Sequence, residues 1–448
     1  MKVIVIGVTH AGTAAINSIY AYNKDVEVTA YERNDNISFL SCGIALWVSG
    51  EVKDPAGLFY SSPETLAELG TTMKMQHDVT SVDLDKKEVQ VKNLQTGEEF
   101  TDTFDKLVVT TGSWPIEPKI PGIEDQRVVL SKNYDHAKAI VEAAKQDDIK
   151  NVVVVGGGYI GTELVEAFQT QGKNVTLIDG MDRILNKYFD EPFTDRVTKS
   201  FEDNGITVKT SELVQEFKSS DDAVTVVTDK GEYPADLVVM SIGFKPNTEL
   251  FKDKLDMNPD GSIKTDDYMR STNYPDVYGA GDSVAVHYNP TGKDAYIPLA
   301  TNAVRQGTLV GMNLQKEALK YMGTQSTSGL MLYSLSMASS GLTLESAKEQ
   351  GIDADSYTME DNYRPEFMSS TEKVLMTVVY EKGTNRIIGG QLQSKYDISQ
   401  SANTISMMIQ NKMTLVDMAF VDMLFQPWFD RPFHYLNLLA QGAIAAQK

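Results

Sequence analysis

The segment from Asn151 to Gly161 constrains this chain more tightly than any other. Asn151-Val152-Val153-Val154-Val155 is a short apolar run of β-branched residues, the pattern of a strand buried on both faces. Gly156, Gly158 and Gly161 follow at the spacing that permits a sharp turn, approach to a pyrophosphate and close helix packing. A helical stretch runs to about Gln171, and the next strand, Val175 to Ile178, ends at Asp179. A carboxylate there can hold a ribose hydroxyl and would repel a 2′-phosphate, so Asp179 favours NADH over NADPH. Arg183, four residues on, leaves NADPH open. At average glycine usage the three-glycine spacing arises by chance about 0.15 times in a chain of this length. Strand, helix and terminal acid together make chance a poor explanation.

A weaker copy opens the chain. Residues 2–6 form an apolar run, Gly7-Val8-Thr9-His10-Ala11-Gly12 follows, and a helical stretch continues to about Tyr22. The strand Val26 to Tyr31 then ends at Glu32. Thr9 stands where the middle glycine is expected. Two more strands run into glycine turns, one ending Thr110-Thr111-Gly112-Ser113 and the other ending at Gly243. The stretch Thr272 to Asp282 follows. This order is that of an FAD-binding domain interrupted by an NAD-binding one. The expected division is 1–113 with 245–323 for FAD, 114–244 for NAD, and 324–448 for a C-terminal interface domain. The fold class is α/β, two Rossmann-like domains followed by an α+β dimerisation domain. Residues 370–395 read as β-hairpins and 397–448 as helical, with Met and Leu at helical spacing.

Cys42 is the only cysteine among 448 residues, so no internal disulfide can form. A lone reactive sulfur must cycle through an oxidised single-sulfur state or pair with a small external thiol. Ser38 and Ser41 are candidate N-caps before the apolar run Ile44 to Val48. A thiol in that first turn lies near the positive end of a helix dipole, which favours thiolate. A packing role as a small hydrophobe is the alternative. The formal charge of −21, from 41 basic and 62 acidic residues, argues against nucleic acid and anionic membranes as partners. The first apolar run is too short for a signal peptide, and none reaches a membrane span, so a cytoplasmic protein is expected.

With these segments in place, the chain resembles the NADH oxidase/NADH peroxidase branch of the pyridine nucleotide-disulfide oxidoreductases. The resemblance is strongest to the water-forming NADH oxidases of lactic acid bacteria. It rests on Thr9 to Thr13, Ile37 to Gly43, Tyr296 to Asn302, Met423 to Pro427 and the second fingerprint. It implies FAD on Gly7, Val8, Thr9, His10, Ala11, Gly12, Glu32, Thr110 to Ser113, Lys132, Asp282, Leu299 and Ala300. It implies NADH on Ile160, Asp179, Tyr188 and Gly243 beside the fingerprint glycines, with Tyr159 covering the flavin face. Cys42 would be the redox centre, with His10 beside it. His10 opens a helix whose dipole disfavours the imidazolium. His77, His136, His287 and His434 lack such a setting and read as surface or packing residues. No metal is implied.

Three departures separate the branches. Trp47 stands where the disulfide reductases carry a second cysteine, which excludes relay through a dithiol. Ser41 replaces the asparagine of coenzyme A-disulfide reductases. Ala14 and Val304 replace the charged pair of the peroxidases, and losing both avoids one lone buried charge. The expected reaction is four-electron reduction of O₂ to water by two NADH through a Cys42 sulfenic acid. NADH peroxidase is the alternative. Coenzyme A-disulfide reductase, membrane quinone reductase and an NADH-binding redox sensor rank behind it. A homodimer is expected, with Phe425-Gln426-Pro427 near the partner's flavin.

Overall fold

The computed structural model describes residues 1–447. Two five-stranded parallel sheets share one plan. In the first, the strands Val277–Gly279, Lys106–Val109, Lys2–Ile6, Glu27–Glu32 and Thr72–Met75 lie side by side in that order. In the second the order is Val128–Leu130, Leu237–Met240, Asn151–Val155, Asn174–Ile178 and Thr207–Lys209. Each fingerprint strand is central, flanked on one side by the strand ending in the acid. Val3, Ile4 and Val5 have no exposed surface. Burial of this kind stabilises by about 1.5–3 kcal/mol for each large aliphatic side chain. The outermost strand of the first sheet, Val277–Gly279, comes from beyond the second sheet in sequence. Three-stranded antiparallel sheets, 77–103 and 214–235, occupy equivalent crossovers.

The C-terminal unit is a five-stranded antiparallel sheet ordered Ser328–Leu332, Leu335–Gly341, Ile387–Ser394, Lys373–Glu381 and Ala354–Asn362. The strand Lys373–Glu381 is buried on both faces because its alternate residues have different partners. Val374, Met376, Val378 and Tyr380 pack on the helices Ser399–Gln410, Leu415–Phe420 and Tyr435–Ala446. Leu375 faces the core of the second parallel sheet. The helical expectation for 397–448 fails over 421–434, which carries no helix. Pro427 and Pro432 lack the amide donors that a helix there would require. That segment instead exposes Leu424, Phe425, Trp428, Phe429 and Phe433. Among the described residues, no helix is long and apolar enough to cross a membrane.

Candidate active site

The first fingerprint is held by steric necessity. Gly7 has φ +89°, and a Cβ there would lie 2.6 Å from the Thr110 carbonyl oxygen. A Cβ on Gly12 would lie 2.1 Å from the Gly7 oxygen, so helix and strand meet only through glycine. Thr110 Oγ1 donates to the carbonyls of Ile6 and Gly7 at 3.0 and 2.8 Å, stitching the loop from beneath. Glu32 is nearly fully buried; Oε2 accepts from the Val8 amide at 2.8 Å and Oε1 from the Asn34 amide at 2.9 Å. Burial pushes its carboxyl up, while those donors oppose the shift. Thr9 N-caps the helix His10–Tyr22 without a side-chain cap, and the first turn carries no acid. A helix N-terminus of this kind, with unpaired amides and no acid in its first turn, has the features that suit an anionic phosphate group.

Lys132 Nζ donates to Ser113 Oγ at 2.9 Å and lies 3.2 Å from Asp282 Oδ2. Ser113 Oγ donates to the same oxygen at 2.7 Å. The turn Gly281–Ser283 presents Asp282, and a Cβ on Gly281 would lie 2.9 Å from Ala11 Cβ. Leu299 caps the helix Ala300–Asn313, which crosses His10–Tyr22 so closely that Gly307 sits against the Ala11 carbonyl. Gly7 to Gly12, Glu32, Thr110, Ser113, Lys132 and Asp282 therefore form one connected region. A clear helix terminus, a buried ribose-type carboxylate and a glycine-only close approach fit a dinucleotide such as FAD.

The second fingerprint repeats the design. Gly156 has φ +108° and Gly243 φ +112°. Ser241 Oγ donates to Val155 and Gly156 carbonyls, each at 3.0 Å, as Thr110 does in the first unit. A Cβ on Gly158 would meet nothing within 4 Å, so that position opens to the outside. Asp179 Oδ2 accepts from the Gly157 amide and Oδ1 from the Met181 amide. Arg183, which left NADPH open, is instead engaged by Glu345, with Nη2 donating to Oε2 at 2.7 Å. Ile160 packs on the core beneath. Tyr159 stacks on Tyr188, with ring centroids 4.2 Å apart and planes 12° apart. The Tyr159 hydroxyl shares a 2.8 Å hydrogen bond with Ser328 Oγ of the antiparallel sheet.

Cys42 is exposed and lies in the single 3₁₀ turn Ser41–Gly43, before the helix Ile44–Ser49. Two expectations fail here. Neither Ser38 nor Ser41 caps the turn. Ser38 is fully buried, and its Oγ donates to the Ser61 carbonyl and accepts from the Ser61 amide. The thiol is also pushed up rather than down. Crowding by the surrounding protein is the first cause and the Glu163 carboxyl the second; the backbone amide of Cys42 opposes them. Glu163 itself is pushed up to about 7 by burial and by Glu166. Trp47 is buried and stacks on Tyr134 at 5.8 Å, which assigns the second-cysteine position to packing.

The Ser38 amide donates to the Val8 carbonyl at 3.1 Å, tying the cysteine segment to the first fingerprint. His10 is lowered, as expected, but burial is the main cause. Lys132 lowers it further and Asp282 opposes. Tyr60, which no motif marked, stacks on His10 at 5.5 Å and 3°, with its hydroxyl 2.9 Å from Nδ1. His10, Tyr60, Thr13, Ala14 and Val304 line one cavity of about 400 Å³. The two apolar departures thus share a wall with His10. Of the remaining histidines, His434 does open a helix, N-capping Tyr435–Ala446 through Nδ1, so the expectation that it lacks such a setting fails, while its role there is structural.

Comparison with known proteins agrees with this geometry. Residues 1–307 match the pyridine nucleotide-disulphide oxidoreductase family, and residues 327–435 match its dimerisation domain. An NADH oxidase of Enterococcus faecalis is 59% identical over 446 residues, covering 99% of each chain. A water-forming NADH oxidase from Lactobacillus brevis, solved with NADH bound, superposes with TM-score 0.98 at 58% identity. That match covers 100% of this chain and 98% of the other. A variant of the same oxidase, engineered for NADPH with an aspartate-to-alanine change among five substitutions, also matches at TM-score 0.98 and 58% identity. It covers 100% of this chain and 99% of the variant. Paired fingerprints, the antiparallel sheet and these matches lead to one assignment: the chain belongs to the pyridine nucleotide-disulphide oxidoreductase family.

Proposed function

We propose that this protein is an FAD-dependent NADH oxidase that reduces O₂ to water, with Cys42 as its redox-active sulfur. The observation that carries the reading is the placement of the lone thiol. Cys42 is exposed, tied through Ser38 to the flavin-type fingerprint, and without a second cysteine. Residues 1–113 with 245–323 would hold FAD and 114–244 NADH, with 324–448 forming the dimer interface. Bound FAD would supply hydride acceptance from NADH and electron transfer to O₂, yielding hydrogen peroxide.

The chain's own residues do the rest. Tyr159 would cover the flavin face and would swing from Tyr188 and Ser328 to let nicotinamide stack there. The Cys42 thiolate attacks one peroxide oxygen; the S–O bond forms as the O–O bond breaks, and hydroxide leaves. The sulfur loses two electrons and becomes sulfenic acid. Two electrons and one proton, originating with a second NADH, return it to thiolate and release water. His10, neutral because it is buried, holds or passes protons at this site. In the dimer, Phe425-Gln426-Pro427 of one protomer would approach the partner's flavin, covering the exposed aromatic segment.

The test is the ratio of NADH consumed to O₂ consumed, with and without catalase. Two NADH per O₂, unchanged by catalase, is expected. One NADH per O₂ with peroxide accumulating would overturn the reading. A peroxidase would consume NADH with added peroxide and leave O₂ untouched.

A further inference from the structure

We infer that Tyr60 is a positioning residue that fixes the tautomer of His10, an inference resting on the proposed role of His10 beside Cys42. The segment carrying Tyr60 is fastened to the cysteine segment on both sides. The Leu40 amide donates to the Leu58 carbonyl at 2.8 Å, and Phe39 pairs with Phe59 in an antiparallel bridge. On the other side, buried Ser38 holds Ser61 by two hydrogen bonds of 2.7 and 2.9 Å. Ser38 adopts φ +58°, an uncommon conformation for a residue other than glycine. Tyr60 between these clamps has little freedom and lies parallel to the imidazole, 2.9 Å from Nδ1.

Two arrangements of the proton satisfy that distance. In one, Nδ1–H donates to the phenol oxygen; in the other, the phenol donates to the Nδ1 lone pair. Tyr60 is half exposed and its phenol stays neutral well below its ordinary pKa of about 10, while burial pushes the His10 imidazolium down, so both groups are uncharged near neutral pH. A phenol is a better donor than acceptor, and a neutral imidazole nitrogen accepts strongly. Tyr60 O–H therefore donates to Nδ1, and the imidazole proton stays on Nε2. His10 so fixed offers one donor that steadies negative charge on sulfur or on departing hydroxide. This has value where crowding and Glu163 oppose the Cys42 thiolate.

The experiment is NMR of ¹⁵N-histidine-labelled holoenzyme, with His10 assigned by its loss in His10→Gln. In the native protein His10 should show a bare Nδ1 and a protonated Nε2. Tyr60→Phe, which keeps the ring stack, should give a mixture of tautomers and raise peroxide released per NADH severalfold. Tyr60→Leu should do no less. A protonated Nδ1 in the native protein, or Tyr60→Phe signals identical to native, would overturn the inference. So would a shifted tautomer with no rise in peroxide. The tautomer is read without turnover, so failure of the oxidase reading, seen in the NADH-to-O₂ ratio, is recorded separately.

Discussion

Lys132 lies 3.2 Å from Asp282, and the two arrive from segments 150 residues apart, Lys132 just after the edge strand Val128–Leu130 of the second parallel sheet and Asp282 from beyond that sheet. Both side chains are largely buried, and both bond Ser113 Oγ. Removing the cation leaves a buried carboxylate without its partner, a loss of about 1.5–3 kcal/mol for a charged hydrogen bond. Lys132→Met should therefore weaken FAD retention about tenfold to a hundredfold. Flavin fluorescence released on dilution measures this, and native-like retention would show that the cluster does not serve the flavin.

Asp179, the proposed ribose ligand, also has a structural duty. Its two oxygens accept from Gly157 and Met181, so the same carboxylate shapes the fingerprint loop. Asp179→Ala should lower kcat/KM for NADH by more than tenfold and narrow or reverse the preference over NADPH. Arg183 will contribute little while Glu345 engages it. If the ratio of the two kcat/KM values does not move, the ribose ligand lies elsewhere.

The glycine geometry was legible in the sequence because sterics leave no alternative at Gly12 or Gly156. The acids Glu32 and Asp179 were legible because each ends the strand beside a fingerprint. Tyr60 was not, because its bearing on His10 depends on clamps at Ser38 and Ser61, which bond only after the chain folds. The direction of the Cys42 shift was misjudged for a related reason. Glu163 is distant in sequence, and the local dipole is the only influence a sequence displays. The break at 421–434 was visible in Pro427 and Pro432 but outweighed by the flanking Met and Leu.

Beneath the exposed aromatic segment, Asp430 Oδ2 lies 3.5 Å from His434 Nε2. Burial pushes the Asp430 carboxyl up to about 6 and the His434 imidazole down to about 4. Between pH 4 and 6 the folded aspartic acid binds more protons than the unfolded one, so its contribution to stability falls as pH rises. The histidine does the opposite up to its ordinary 6.5, because the unfolded ring binds the proton. The two slopes nearly cancel in the native protein. Asp430→Asn removes the falling one, so its midpoint temperature should climb between pH 4 and 6.5 while the native curve stays flatter. Parallel curves would show that the pair is not buried as described.

Cys42→Ser tests the centre of the proposed chemistry. Serine keeps the size and hydrogen bonding of the turn but cannot be oxidised to a sulfenic acid. NADH should still bleach the flavin, because hydride transfer requires only that Tyr159 leave its stack on Tyr188. O₂ should still reoxidise it, since that step makes no use of the sulfur. The product is what should change: hydrogen peroxide accumulates, and NADH consumed per O₂ falls from about two towards one. In the native enzyme, by contrast, trapping of the sulfenic acid after peroxide addition should quicken as pH rises. The Cys42 thiol is raised, so thiolate is the scarce form and increases with pH. Water formation by Cys42→Ser at two NADH per O₂ would return the cysteine to a packing role. Loss of flavin bleaching would instead make it structural, and either result would remove the sulfur from the mechanism.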